Sequence, residues 1–180
     1  MREGGLVAPD VDSAATRFLE MAEHELHRSY RFAGLMLGDA QEAEDATQDA
    51  LLRAWRSASS LRDPAGFQAW FDRILINVCR DRLRRRGLVR FIPVDDAGSF
   101  PAVGDPFRNL VQRDEILRAM AALDDDHRLV LVLHYWADLT LEDVAERVGW
   151  PIGTVKSRLH RGLATMRTRL DRGPASEVRR

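Results

Sequence analysis

Cysteine, lysine and long apolar runs are scarce in this 180-residue sequence. The single cysteine, Cys79, excludes an internal disulfide and a thiolate-rich metal cluster. No apolar run approaches the roughly 20 residues that a membrane-spanning helix requires. The N-terminus lacks an apolar segment followed by a small-residue cleavage site, so it does not resemble a signal peptide. We therefore expect a cytoplasmic protein without membrane insertion.

Residue patterns typical of enzymes are also missing. The sequence contains no glycine-rich phosphate-binding loop, and its five histidines form no metal-ligand pattern. His24 and His27 lie one helical turn apart in HELH, which lacks the HExxH spacing of a zinc site. The acidic stretch DAQEAED lacks the glycine of a calcium-binding loop. We expect no enzymatic activity, no metal ion and no cofactor.

The charges of the chain are segregated, although the net charge is only −1. Residues 39–49 carry five acids and no base. Residues 80–90 carry six arginines against one aspartate. Residues 153–172 carry five arginines and Lys156, the only lysine, against one aspartate. Blocks of opposite sign indicate separate surfaces for separate partners, and the basic blocks are candidates for contacts with phosphate.

Helical periodicity dominates the apolar pattern and predicts an all-α fold of two small helical domains joined by a flexible linker. Asp63 and Pro64 supply a helix N-cap and a first-turn proline for a long helix that should end near Arg86. The run LVLVL at 129–133 is compatible with a strand, but the cap at Asp124 and the helical continuation favour a helix. The predicted segments are a first domain at 13–86, a linker at 87–107, a second domain at 108–170 and a tail at 171–180.

Two short helices near the C-terminus predict a helix-turn-helix. Thr140 and Asp143 form a capping-box sequence, Gly149 ends the first helix, and Pro151 is expected at the first position of the second. The second helix of such a pair enters the DNA major groove. A helical wheel separates an apolar side from a polar side on this helix. The apolar side comprises Ile152, Val155, Leu159 and Met166. The polar side comprises Lys156, Ser157, His160 and Arg161.

Neighbouring positions of the same helix support DNA binding. Arg158 lies between the two sides and is placed to reach a phosphate. Gly153 permits close backbone approach at the helix N-terminus, where the helix dipole also favours phosphate. The alternative is the solvent-exposed side of an ordinary basic helix.

The acidic block lies on a helix with two distinct strips. In EAEDATQDALLRAW the wheel places alanines on one strip and Asp45, Gln48, Asp49 and Leu52 on another. The alanine strip can pack in a core, and the acidic strip can dock on a basic protein surface. The alternative is a solvated acidic face that complements a helix N-terminus.

Three segments together resemble the extracytoplasmic-function (ECF) sigma factors, the group IV members of the sigma-70 family. They are EDATQDALLRAW, FQAWFDRILINVCRDRLRRR and GTVKSRLHRG, which occur in the family's order. The resemblance extends from about Ala14 to Leu170. It implies a non-enzymatic protein that binds bacterial core RNA polymerase and directs it to promoter DNA through a helical region 2 and a helix-turn-helix region 4.

The resemblance also implies a role for each matching residue. The polymerase-binding positions are Asp45, Gln48, Asp49 and Leu52. The positions implied to contact the −10 element are Asn77, Arg80, Arg84 and Arg85, with Asn77 beside the pocket for a flipped base. The positions implied to contact the −35 element are Gly153, Thr154, Lys156, Ser157, Arg158, His160 and Arg161. An anti-sigma factor is the usual regulator of similar proteins. Gly162 departs from the family pattern, where alanine is usual, at a cost of about 1 kcal/mol of helix propensity.

A stand-alone helix-turn-helix regulator is the competing hypothesis. Such a protein would carry a helical ligand-sensing or dimerising domain before its DNA-binding unit. It would account for the C-terminal helix pair but for neither the acidic strip nor the segment around Asn77 and its arginines.

Overall fold

Short, well-capped breaks separate the first helices of the fold. The computed structural model describes residues 11–61, 63–88 and 110–172. Helix α1 (Val11–Leu37) ends at Gly38, whose φ of 72° lies in the left-handed region that favours glycine. Asp39 caps α2 (Ala40–Arg56) by accepting a hydrogen bond from the backbone N–H of Glu42. This two-residue connection lets α2 pack against α1.

Helix α3 (Phe67–Leu88) completes an N-terminal unit, which we define as residues 11–88. Asp63 accepts a hydrogen bond from the Ala65 N–H and precedes a 3₁₀ turn, Pro64–Gly66, that leads into α3. The helix ends two residues later than the sequence predicts. The Arg86 guanidinium donates to the Leu37 carbonyl at 2.7 Å and pairs with Glu42 at 2.5 Å, which ties the last turns of α3 to α1 and α2.

Small side chains let α2 approach its neighbours in this unit. Four alanines of α2 are fully buried at helical spacing: Ala43, Ala46, Ala50 and Ala54. They face a core of larger apolar side chains that includes Met36, Phe71 and Leu75. The alanine strip predicted from the sequence is therefore the packing side of α2, which leaves its acidic strip toward solvent.

The remaining helices form a C-terminal unit, which we define as residues 110–172. They are α4 (Leu110–Ala121), α5 (Asp125–Leu131), α6 (Leu141–Val148) and α7 (Ile152–Arg172). Asp124 caps α5, and a π-helical turn (Val132–Trp136) continues it. The LVLVL run is thus helical, as predicted. Every regular element in the described ranges is helical, which confirms the all-α fold with two helical domains.

The two units are packed against each other. The buried Arg128 of α5 donates a hydrogen bond to the Met36 carbonyl of α1 at 2.6 Å. The rings of Phe32 and Trp136 meet across the same boundary with centroids 6.3 Å apart. Buried apolar residues of both units therefore form one continuous core.

The segments between and beyond the units are only partly described. Of the predicted linker at 87–107, the first two residues belong to α3, and residues 89–107 lie outside the described residues. Of the predicted tail, residues 171 and 172 belong to α7, and the rest also lies outside. Among the described helices, none combines the length and apolarity needed to cross a membrane.

Candidate nucleic-acid interface

The helix-turn-helix of the C-terminal unit is fixed by local capping. The Thr140 hydroxyl accepts a hydrogen bond from the Asp143 N–H, and the Asp143 carboxylate accepts one from the Thr140 N–H. This capping box lowers the pKa of Asp143, chiefly through the hydrogen bond from the Thr140 side chain. Gly149 ends α6 with φ of 70°. Helix α7 begins at Ile152, so Pro151 immediately precedes its first residue instead of occupying it.

The polar side of α7 is open to solvent along its first turns. Of the seven residues predicted to contact the −35 element, five are exposed: Gly153, Lys156, Ser157, His160 and Arg161. Thr154 is half-buried, and its carbonyl accepts a hydrogen bond from the Ser157 hydroxyl at 2.9 Å. On the opposite side, Val155 is fully buried and Leu159 packs against the core, whereas Ile152, which the wheel also placed on this side, is 37% exposed. The helix therefore presents a basic surface with hydrogen-bonding groups to solvent, while its opposite side holds it in the C-terminal unit.

Within the described part of the chain, Arg158 is the one predicted −35 residue whose guanidinium has intramolecular partners. It pairs with Asp126 of α5 at 2.7 Å. Its guanidinium carbon also lies 3.8 Å from the centroid of the Trp150 ring, in the turn between α6 and α7. Arg158 is therefore held against its own unit and away from the open side of α7.

The predicted −10 residues lie along one side of α3. Asn77, Arg84 and Arg85 are exposed, and Arg84 pairs with Asp81 one turn earlier. Arg80 is half-buried, because its guanidinium lies 4.0 Å from Asp126 and 5.1 Å from the centroid of the Trp150 ring. Three of the four predicted side chains are thus available to a nucleic acid, and the fourth contacts the C-terminal unit.

The aromatic residues at the start of α3 serve mainly in packing. Phe67 and Phe71 are buried, and their rings stack with centroids 5.7 Å apart. Trp70 and Ile74 are half-buried against the same core. This arrangement anchors the first half of α3 and fixes the direction of Asn77.

The acidic strip of α2 is partly exposed and has intramolecular partners. Gln48 and Leu52 are exposed, and Asp45 is half-buried and accepts a hydrogen bond from Gln41 at 3.3 Å. Asp49 pairs with Arg82 of α3 at 2.5 Å. Asp49 therefore also ties α2 to α3, which the sequence pattern did not indicate.

Asp72 is a buried carboxylate that the sequence analysis missed. It is 4% exposed and accepts hydrogen bonds from Arg28 of α1 at 2.7 Å and from Arg147 of α6 at 3.1 Å. Burial opposes the charged form of Arg28, but the hydrogen bond and charge of Asp72, with those of Glu25, leave the Arg28 pKa raised. A single aspartate within a helix gives no sequence signal, because its partners lie 44 and 75 residues away.

Cys79 is buried on the core side of α3. Burial raises the pKa of its thiol to about 12, against the smaller lowering effect of Arg82. The thiol is therefore protonated at neutral pH and is poorly suited to redox sensing. His24 and His27 are exposed, and no group of three potential metal ligands occurs within the described residues.

Family models match both units. The model described as Sigma-70 region 2 matches residues 21–89, and the model described as Sigma-70, region 4 matches residues 113–166. The first range contains all of α3 with the predicted −10 residues, and the second contains all the predicted −35 residues of α7.

Individual relatives resemble the chain over most of its length. The ECF RNA polymerase sigma factor SigW of Bacillus subtilis is 30% identical over 167 residues, which cover 85% of this chain and 88% of SigW. The ECF RNA polymerase sigma factor SigE of Mycolicibacterium smegmatis is 34% identical over 154 residues, or 82% of this chain, and the match spans 59% of SigE.

A solved structure shares the arrangement of the helices. The sigma factor RpoE from Bartonella quintana, in complex with the anti-sigma factor NepR, aligns with a TM-score of 0.67 and 27% identity. The alignment covers 89% of this chain and 98% of RpoE.

Proposed function

Because the chain belongs to the ECF family of RNA polymerase sigma factors, we propose that it binds bacterial core RNA polymerase and directs it to promoters with particular −10 and −35 elements. Sigma factors are transcription initiation factors and not enzymes. We further propose that the chain belongs to group IV of the sigma-70 family. We also propose that it acts in the cytoplasm, where polymerase and promoter DNA are found.

The observation that carries the proposal is the solvent-exposed side of α7. Lys156, His160 and Arg161 project from a helix whose other side is packed, directly after a capped α6 and a glycine-containing turn. This geometry suits insertion into a major groove, where such side chains reach base edges and phosphates. We assign this surface to the −35 element.

Helix α3 supplies the second DNA contact in this proposal. The amide of Asn77 can donate to and accept from the edge of an unpaired base. Arg84 and Arg85, about two helical turns beyond Asn77, add positive charge for the strand backbone. We assign this surface to the −10 element. We also propose that the two domains predicted from the sequence, residues 13–86 and 108–170, are the two DNA-binding domains.

Helix α2 supplies the contact with polymerase. Asp45, Gln48, Asp49 and Leu52 combine acidic, amide and apolar groups on one partly exposed strip. Such a strip complements a basic helical surface with an apolar centre. The strip lies on the N-terminal unit and α7 on the C-terminal unit, so the proposal assigns polymerase and the −35 element to different helices of different units.

An anti-sigma factor is proposed as the regulator. The structurally similar RpoE was solved with the anti-sigma factor NepR bound. We infer that a protein of this class binds the present chain, and that it competes with polymerase.

Run-off transcription with bacterial core RNA polymerase and a promoter library tests the proposal. We expect transcripts that start downstream of a shared pair of elements only when the protein is present. A core enzyme that neither binds the protein nor changes its start sites would refute the proposal and favour a stand-alone regulator. A stable dimer that binds an inverted repeat without polymerase would favour the same alternative.

A further inference from the structure

Helix α7 is longer than the part of it that we assign to the −35 element. The helix contains 21 residues, which is about 31 Å of helix. The residues predicted to contact the −35 element lie between Gly153 and Arg161, a rise of about 12 Å, which is similar to the width of a DNA major groove. Because the groove curves around the duplex and α7 is straight, the second half of the helix must leave the groove past the phosphates that border it.

Arg167, in this second half, lies on the side of α7 that carries the proposed base contacts. It follows His160 by seven residues and Lys156 by eleven, which are close to two and three whole turns of an α-helix. No acidic residue occurs between positions 153 and 170. The basic side of α7 therefore extends about 10 Å beyond His160, as far as Arg167.

The guanidinium of Arg167 has no intramolecular partner among the described residues, and its side chain is exposed. By contrast, Arg158 of the same helix pairs with Asp126 at 2.7 Å. The neighbouring Thr168 also differs, because its hydroxyl donates to the Ala164 carbonyl at 2.9 Å. Arg167 therefore keeps its five N–H donors for an external acceptor, and their planar fork matches the oxygens of a phosphate.

We propose that Arg167 binds a backbone phosphate at the edge of the major groove, next to the −35 element, and thereby positions α7 for its base contacts. Phosphate contacts fix the register and orientation of a protein on DNA, whereas contacts with base edges provide the sequence specificity. In this division, His160 and Arg161 read the element and Arg167 holds the helix in place. The inference rests on the proposed function and adds to it a DNA-binding residue outside the −35 residues predicted from the sequence.

Arg169 provides a matched control at the same end of α7. It is also an exposed arginine without an intramolecular partner in the part of the chain that the structure describes. Two residues correspond to about 200° around the helix, so Arg169 lies on nearly the opposite side from Arg167. Replacement of either arginine by alanine removes the same charge from the same end of the helix. Only Arg167→Ala removes it from the side that carries the proposed base contacts.

Binding of promoter DNA by core polymerase together with the full chain tests the inference. The probes are a fluorescein-labelled promoter duplex from the run-off library and a second duplex that differs only in scrambled −35 bases. Anisotropy gives the affinity of the wild-type protein and of Arg167→Ala, Arg167→Lys, Arg169→Ala and Arg161→Ala for both duplexes between about 50 and 200 mM salt. Circular dichroism verifies that each variant is folded.

We expect Arg167→Ala to weaken binding to both duplexes by the same factor, on the order of fivefold, because a phosphate contact is independent of the base sequence. The slope of log K against log salt should become shallower by about 0.9, the effect of one contacted phosphate. Arg167→Lys should retain most of this salt dependence, since an ammonium group also binds phosphate. Arg169→Ala should leave both the affinity and the slope close to the wild-type values.

Equal effects of Arg167→Ala and Arg169→Ala, including no effect of either, would overturn the inference, because the position of the charge on α7 would then not matter. A loss confined to the duplex with the intact −35 element would also overturn it, since Arg167 would be reading bases. The proposed function fails separately, if the wild-type protein gives core polymerase no preference for the promoter. If the wild type shows that preference and Arg161→Ala reduces it, equal effects at positions 167 and 169 remove the phosphate contact alone.

Discussion

The side chain of Arg128 donates hydrogen bonds to carbonyls at the ends of two helices. Its guanidinium donates to the Met36 carbonyl at the end of α1 and to the carbonyls of Met120, Ala121 and Leu123 at and after the end of α4. Burial lowers its pKa more than the nearby Asp125 raises it. A cation at helix C-termini is also favoured by the helix dipoles. One buried arginine therefore donates to four carbonyls at or near helix ends, of which that of Met120 also accepts a hydrogen bond from the Leu123 N–H.

Replacement of Arg128 should be costly. Arg128→Ala leaves buried carbonyls unpaired, so we expect the free energy of unfolding to fall by about 3 kcal/mol or more. Arg128→Lys should recover little of the loss, because an ammonium group cannot reproduce the planar fork of donors. Urea unfolding followed by circular dichroism measures both. Arg167→Ala, an exposed change on α7, is the control, and a similar effect from it would contradict this role.

Asp45 is a cleaner probe of polymerase binding than Asp49. Because Asp49 pairs with Arg82 inside the N-terminal unit, a change there alters both the fold and the docking strip. We expect Asp45→Arg to weaken binding to core polymerase by about tenfold or more through like-charge repulsion, with unchanged thermal stability. Binding assays with labelled protein measure the change. Glu20→Arg on the exposed side of α1 is the matched control, and equal losses in both variants would contradict the docking assignment.

At the scale of single residues, the sequence predicted which side chains are exposed better than it predicted which side chains pair with each other. The wheel of α7 correctly separated the buried Val155 from the exposed Lys156 and Arg161. It could not show that Arg158 lies on Trp150, because the orientation of a long side chain depends on the neighbouring elements. The same limit concealed the pairing of Asp49, whose partner Arg82 is 33 residues away.

At the scale of elements, the segment from Val132 to Trp136 shows that apolar periodicity does not predict the type of helical turn. The sequence predicts a regular helix, but residues Val132–Trp136 form a π-helical turn, in which the Ala137 N–H donates to the Val132 carbonyl. The chain then reverses at Asp138, with φ of 54°. The wider turn lets Val132 and Leu133 stay buried while Trp136 reaches Phe32 of α1. Tertiary packing overrides the local pattern here.

Gly162 is explained by the approach of α7 to α5. A Cβ atom at this position would lie 3.0 Å from Cδ1 of the buried Leu131. Alanine would gain about 1 kcal/mol of helix propensity, but it must displace the leucine. Glycine at this position therefore fits the close contact between α7 and α5.

A double-mutant cycle separates these two effects. Gly162→Ala should not stabilise the wild-type protein, because crowding cancels the gain in propensity. In a Leu131→Val background, which lacks the Cδ1 atom, the same change should stabilise the protein by up to about 1 kcal/mol. Urea unfolding of the four proteins gives the coupling free energy. A coupling near zero would show that Leu131 does not restrict this position.

At the scale of the whole molecule, the sequence predicted the two helical units but not their mutual arrangement. Helical periods and capping signals are local, so the elements of each unit were predictable from short segments. The contacts between the units join residues far apart in the chain, 73 positions for Arg73 and Glu146 and 92 for Arg128 and Met36. The sequence pattern indicated surfaces for external partners or solvated faces, and gave no sign of pairing between the charge blocks. The structure shows that some of the same charges also neutralise one another within the chain.

Exchange of two charges tests whether the packing of the two units depends on a specific pair. Arg73→Glu alone and Glu146→Arg alone should each lower the energy transfer between dyes on cysteines introduced at the exposed Ser59 and Thr168, since each places like charges together at the contact between α3 and α6. The double exchange Arg73→Glu/Glu146→Arg restores an attractive pair and should return the energy transfer between Ser59 and Thr168 positions to the wild-type value. Arg73→Glu/Glu142→Arg carries the same net charge without the restored pair and should keep the lower energy transfer of Arg73→Glu. If both doubles gave the same transfer, total charge and not the contact between α3 and α6 would set the distance between the units.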